Sequence, residues 1–196
     1  MRRRTSVADD ASVKISKDKW RKELRPLRRE TEDNLEKKVV TALATFLQDK
    51  HGLFLFYRPM SHELGLDRLA EEVGWERFVT TRTPRSGPLT VHPANSTAET
   101  HRYGFLQPVE HSPISDLAEV SVALVPALAF DRAGTRLGHG LGYFDELLSR
   151  MPDNCLRVGV TIEAFIFDEL PAEPHDISMT HLATELGVRP VSKSVC

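Results

Sequence analysis

Apolar positions along this chain change their period several times, and each change marks an element. Leu35, Val39, Leu43, Phe46 and Leu47 recur at steps of three, four and one, which is one face of a helix. Thr31 stands where the N-cap of that helix belongs. An earlier helix begins at Lys17 with Ser16 as its cap, and its face is basic: Lys17, Lys19, Arg21, Lys22, Arg25, Arg28 and Arg29. Residues 53–57 (LFLFY) then form a continuous apolar run, the pattern of a short strand covered on both sides. Leu66, Leu69, Ala70 and Val73 predict a short helix, and residues 78–81 a strand. Residues 82–113 are rich in Pro, Thr, Ser and His with weak periodicity, which predicts a long irregular binding loop. Residues 120–130 (VSVALVPALAF) give the strongest buried-strand signal. A helix over 143–150, a strand over 156–161, a helix over 164–170 and a last strand over 182–185 complete the pattern.

Strands alternating with helices predict an α/β fold, a mostly parallel sheet with helices on both faces. Such sheets bind ligands beyond the carboxyl ends of their strands. Residues 16–196 read as one domain, preceded by a polar, flexible segment over residues 1–15.

Composition narrows the function. A formal charge of −2 over 196 residues gives no global field for a polyanion, and Arg2, Arg3 and Arg4 are too few to change that, so nucleic acid is not the expected partner. Two cysteines, Cys155 and Cys196, cannot build a disulfide framework or a thiolate zinc site. Cys155 reads as a small hydrophobe in a reducing cytoplasm. No apolar run reaches the ~20 residues of a spanning helix, and the N-terminus lacks the apolar stretch of a signal peptide. The expectation is a soluble cytoplasmic protein with no membrane partner. Trp20 and Trp75 fall among apolar residues and read as core. His92, His101 and His111 lack metal-ligand spacing, so no zinc site is expected.

Chemistry concentrates after the strongest strand, in D131-R-A-G-T-R-L-G-H-G-L-G-Y-F-D145. Gly138, Gly140 and Gly142 alternate, and a helix follows at once. Glycines let backbone N–H groups approach an anion, and a helix N-terminus adds orphan donors and the positive dipole end. Arg136 offers a forked cation suited to phosphate oxygens, and Asp145 a carboxylate for a hard cation. The spacing is neither a dinucleotide fingerprint nor a Walker A loop. On pattern alone, a phosphate site and a plain glycine-rich turn with a helix-dipole aspartate are equally good readings.

The stretch VALVPALAFDRAGTRLGHGLGYFDELL resembles the signature of the 5-formyltetrahydrofolate cyclo-ligase (5,10-methenyltetrahydrofolate synthetase) family, a strand ending V-P-x-x-A/G-F-D followed by x-x-G-x-R-L-G-x-G-x-G-Y-Y-D. Supporting segments occur in family order: Lys17-Asp-Lys-Trp-Arg21, His62-Glu63-Leu64, Tyr103-Gly-Phe-Leu-Gln-Pro108, Leu170-Pro-Ala-Glu-Pro-His-Asp176 and Ala183-Thr-Glu185. The resemblance spans residues 16–187. Departures are His139 where members often have Tyr or Arg, Leu141 for Gly or Lys, Phe144 for the second Tyr and Glu146 for a common Arg.

This resemblance implies a three-layer α/β/α fold of Rossmann type, like that of sugar-phosphate isomerases. It implies Mg·ATP-dependent cyclisation of 5-formyltetrahydrofolate, with or without a polyglutamate tail, in a monomer or weak homodimer. Arg136 and His139 are then the catalytic candidates. Lys17, Arg21, Arg136, Gly138, Gly140, Gly142 and Tyr143 would bind ATP. Glu63, Tyr103, His139, Gly140 and Tyr143 would bind the folate, with Glu63 on the pterin. Asp145 and Asp176 would hold Mg²⁺, although Asp176 could equally cap a turn. Two other readings stand beside this one: a sugar-phosphate-isomerase-like enzyme without ATP, and a folate- or nucleotide-binding module of the same fold without turnover.

Overall fold

The computed structural model describes residues 16–28 and 33–192. Its helices and strands run in the order α1 (Lys17–Leu27), α2 (Asp33–Leu47), β1 (Leu53–Phe56), α3 (Asp67–Val73), β2 (Phe78–Arg82), β3 (Thr90–Pro93), β4 (Ala98–Thr100), β5 (Leu106–Pro108), β6 (Val120–Pro126), β7 (Ala129–Asp131), β8 (Arg136–Leu137), α4 (Tyr143–Ser149), β9 (Leu156–Val160), β10 (Ile166–Phe167), β11 (His181–Thr184) and β12 (Gly187–Pro190). The expected flexible segment, the Thr31 cap and Cys196 lie outside the described residues. Ser16 does cap α1, its side chain accepting from the Lys19 amide.

A seven-stranded sheet in the order β12-β11-β9-β6-β1-β2-β3 forms the middle layer. Its inner strands are parallel, while β3 and β12 run antiparallel at the two edges. Strand side chains alternate between faces, and the core divides accordingly. Phe54 and Phe56 of β1, with Val122 and Leu124 of β6, pack beneath Leu24 of α1, Val39, Leu43 and Leu47 of α2, and Leu69 of α3. Leu55, Ala123 and Val125 face the opposite way, onto Leu147 and Leu148 of α4 and the buried Cys155. The predicted apolar face of α2 is therefore its packing face, and the three-layer arrangement is present. Burial pushes the Cys155 thiol up to about 11, as suits a small hydrophobe.

Four expectations need correction. The strand expected last, over 182–185, is β11, and β12 follows and pairs with it antiparallel. The run over 120–130 is two strands, because the chain leaves the main sheet after Pro126. The Leu128 amide then bonds the Leu137 carbonyl, and β7 pairs with β8 and β10 in a small second sheet. The helix expected over 164–170 is a single 3-10 turn (Glu163–Phe165) followed by β10, whose backbone is taken by β7. The stretch over 82–113 is not irregular throughout: β3 joins the main sheet, and β4 and β5 form a hairpin. Among the described residues, no helix is long and apolar enough to cross a membrane.

Candidate functional site

A cleft of about 680 Å³ opens where the parallel strands end, within the range of small-molecule sites. Its lining includes Tyr57, Arg58 and Glu63 beyond β1, Thr81 and Thr83 at β2, and Pro126 at the end of β6. The glycine loop forms one wall, and the tip of the β4–β5 hairpin, with Arg102 and Tyr103, forms another. The sheet thus delivers chain ends, and the loops supply the chemistry.

The loop is built around Arg136. This residue is 8% exposed, and one guanidinium nitrogen donates to Asp145 Oδ2 at 2.6 Å. Its Nε has no hydrogen-bond partner. A Cβ at position 138 would lie 2.5 Å from the guanidinium, so Gly138 leaves the space that Arg136 fills. Gly140 has φ +100° and faces the Arg21 guanidinium at 3.3–3.5 Å from where its Cβ would be. A side chain there would suffer both backbone strain and contact. Asp145, in the first turn of α4, also accepts from the Ile177 amide through Oδ1, so both its oxygens are occupied.

Helix α1 clamps the loop from outside. Arg21 Nε donates to the Gly138 carbonyl at 3.0 Å, and Arg25 to the His139 carbonyl at 3.2 Å. Lys17 Nζ donates to Asp176 at 2.6 and 2.7 Å and to Glu173 at 2.7 Å. Burial disfavours the Lys17 ammonium, but Asp176 and Glu173 outweigh that and hold its pKa above the ordinary lysine value. Burial likewise disfavours the Asp176 carboxylate, and Lys17 with the Glu173 amide outweighs it and holds the pKa low. Asp176 accepts that amide at 2.6 Å, which is the turn-capping geometry. Arg28 follows α1 and is buried, donating to the Leu128 carbonyl and Thr161. Burial lowers its pKa to about 10, so it remains a cation at neutral pH.

Across the cleft, the turn after β1 closes through the Glu63 amide on the Met60 carbonyl. Glu63 Oε2 accepts the Met60 amide at 2.9 Å, while Oε1 lies 3.2 Å from His139 Nε2. His62 Nε2 stands 3.4 Å from the same His139 nitrogen. Burial, then His139, lowers the His62 pKa. Tyr103 is 56% exposed on the hairpin, with Arg102 over its ring, and Tyr143 lines the cleft at the start of α4.

All the residues given catalytic, ATP-, folate- or metal-binding roles from the sequence line this one cleft: Lys17, Arg21, Glu63, Tyr103, Arg136, Gly138, His139, Gly140, Gly142, Tyr143, Asp145 and Asp176. The structure does not place Asp145 and Asp176 in one carboxylate cluster; among the described residues Asp176 groups with Glu173 and His175. Sequence reasoning missed Arg58, which carries no local signal, and gave no site role to Arg25, one of the basic residues of the first helix, or to Glu173, within the quoted L-P-x-E-x-H-D segment.

Against known proteins, residues 13–185 match the model of the 5-formyltetrahydrofolate cyclo-ligase family. A 5-formyltetrahydrofolate cyclo-ligase of Mycolicibacterium smegmatis is 44% identical over 72 residues, 37% of each chain. One from Saccharomyces cerevisiae is 36% identical over 83 residues, covering 39% of this chain and 38% of that protein. The aligned part is thus well under half the length of these curated relatives. The solved 5,10-methenyltetrahydrofolate synthetase of Aquifex aeolicus superposes with a TM-score of 0.74 at 26% identity, over 89% of this chain and 92% of that one. The Mycoplasma pneumoniae synthetase shares the fold at a TM-score of 0.71 and 18% identity, over 87% and 99%.

Proposed function

The chain belongs to the 5-formyltetrahydrofolate cyclo-ligase family, and from that premise we propose that it converts 5-formyltetrahydrofolate and ATP to 5,10-methenyltetrahydrofolate, ADP and phosphate. The formyl group on nitrogen 5 is an amide, whose carbon is a poor electrophile. Attack of its oxygen on the γ-phosphorus expels ADP and leaves an imidate-like phosphate. Nitrogen 10 then adds to the activated carbon, loses its proton, and expels phosphate with the former formyl oxygen. The protein's task is to align that oxygen and offset phosphate charge.

One observation carries this reading: Arg136 is buried at the base of the glycine loop with its Nε unpartnered, in the same cleft as Glu63. A buried cation with a spare donor suits an anionic ligand, and Asp145 holds its fork in place. Lys17 and Arg21 lie on the adjoining wall, placed to meet the triphosphate when it displaces Lys17 from its carboxylates. Glu63 keeps one oxygen fixed by the Met60 amide and holds the other beside His139 Nε2 in the cleft wall, where a pterin's N–H groups would donate to it in place of the imidazole. Tyr103 and Tyr143 offer aromatic faces, and His139 stands between the phosphate loop and Glu63.

Magnesium fits the carboxylates of Asp176 and Glu173, hard oxygen donors that already hold a cation in the Lys17 ammonium. Asp145 lies in the same cleft but already accepts from Arg136 and from the Ile177 amide. Bound there, Mg²⁺ would neutralise charge on the nucleotide phosphates. The test is to incubate the chain with 5-formyltetrahydrofolate and Mg·ATP and follow the methenyl chromophore together with ADP and phosphate. Equal turnover without nucleotide and in excess chelator refutes the proposal. Ligand binding with no phosphate release would instead mark a binding module.

A further inference from the structure

Glu63 and His139 of the cleft wall form a cluster with His62, a residue that the proposed phosphoryl transfer does not use. His62, Glu63 and His139 bring one ligand atom each within 4.8 Å of one another. A tetrahedral dication bonded at about 2.0–2.1 Å holds neighbouring ligand atoms roughly 3.3–3.4 Å apart. The observed His62 Nε2 to His139 Nε2 separation is 3.4 Å, and His139 Nε2 to Glu63 Oε1 is 3.2 Å. Two edges of such a coordination polyhedron are therefore already set.

The supports are set as well. Glu63 Oε2 is tied to the Met60 amide, which leaves Oε1, beside His139 Nε2, as the ligand atom. Arg25 and Arg21 fix the loop carrying His139 through the carbonyls of residues 139 and 138. Ligands held by outer contacts of this kind bind a metal with less reordering. Hydrogen bonding alone serves the trio poorly. The Glu63 carboxylate is acceptor-only, and the single His139 Nε2 faces both it and a second imidazole nitrogen.

We propose that His62, Glu63 and His139 form a site for a borderline transition-metal dication of the zinc type, with its remaining position open to the cleft. Two imidazoles and a carboxylate are a donor set for such ions rather than for magnesium, which prefers oxygen alone. Occupancy takes Glu63 Oε1 from the organic substrate. The site therefore makes the enzyme inhibitable by trace metal in competition with the folate, a consequence that rests on the role proposed above for Glu63.

The probe is Co²⁺ titrated into the purified full chain, read by its visible d–d absorption, with Zn²⁺ displacement followed by calorimetry. The wild type is expected to take up a single equivalent with the intense bands of a tetrahedral site, bleached by Zn²⁺. His62→Gln and His139→Ala should each weaken binding by at least about 10- to 100-fold. His175→Ala, in the other cluster, should leave it unchanged. Absence of the tetrahedral spectrum in the wild type, or its survival in both the His62 and His139 variants, overturns the site. Saturating 5-formyltetrahydrofolate should expel the metal. A metal that stays bound alongside the folate would uphold the site while refuting the assignment of Glu63 to the pterin.

Discussion

Arg136 and Asp145 act as one device, because the carboxylate that holds the guanidinium is itself held by the Ile177 amide. Removing either partner should leave the phosphoryl group without a positioned cation. Arg136→Ala and Asp145→Ala are each expected to lower kcat by on the order of 10²–10³ with folate binding little changed. The double variant should lose scarcely more than either single one, since groups acting as a unit are not additive. Steady-state kinetics on the three proteins decides this, and additive losses would assign the two residues independent roles. Glu63 calls for a different measurement. Glu63→Gln turns one acceptor into a donor, leaving a ligand N–H against an N–H. Charged hydrogen bonds are worth roughly 1.5–3 kcal/mol, so folate affinity should fall about 10- to 100-fold while ATP affinity holds. Separate titrations of the two ligands are the check, and loss of ATP binding alone would move Glu63 to the other half of the site.

At the level of elements, helix α1 is held by charge as much as by its apolar contacts. The Lys17–Asp176 contact gives it a pH window. The Asp176 pKa is depressed when folded, so its contribution is complete above the ordinary value of 3.8 and disappears as pH falls through the lower folded value. The Lys17 pKa is raised, so its contribution is complete below 10.5 and disappears as pH rises through the higher folded value. Hydrogen exchange of α1 amides should accordingly speed up, beyond the intrinsic pH effect, at both extremes in the wild type. In Lys17→Met that excess should be absent. A wild-type profile no different from the variant's would show that the pair does not hold the helix.

Elements were legible in the sequence where one face alone decides them. The stride of Leu35, Val39, Leu43 and Leu47 is a packing surface, and the LFLFY run is a strand covered on both sides. Legibility failed where a partner distant in sequence decides. Apolarity continues through Pro126 and Leu128, so nothing local reports that the chain changes sheets there. Ile166 and Phe167 are strand only because the backbone of Phe130 and Asp131 is available to pair. The candidate site divides in the same way. The glycine loop stood out by its spacing as a candidate, whereas Arg25, His62 and Glu173 gain their meaning from neighbours 77 to 156 residues away.

For the whole molecule, the cleft is bounded by loops from both ends of the chain, so its ligands should stabilise the global fold. A ligand at about 100 times its Kd adds roughly 2.7 kcal/mol to a two-state fold. Mg·ATP and 5-formyltetrahydrofolate should therefore each raise Tm by several degrees, and together by more than either alone. A Tm unmoved by saturating nucleotide would argue against a triphosphate in this cleft. Gly159 tests the frame itself, because a Cβ there would lie 2.5 Å from the Phe130 ring. Gly159→Val should lower Tm markedly, as overpacking of cores costs typically 1–3 kcal/mol.

The clamp of α1 also sets an order of events during synthesis. Arg21 waits for Gly138, 117 residues downstream, and Lys17 for Asp176, 159 residues downstream. At roughly 5–20 residues per second, a ribosome needs on the order of ten to thirty seconds to deliver the second partner. Throughout that interval the basic helix α1 is translated but lacks its Lys17 anchor, its cations more open to the polyanions around the ribosome. Stalled chains ending before residue 170 should carry α1 open to protease, and chains extended past residue 180 and clear of the ribosome should protect it.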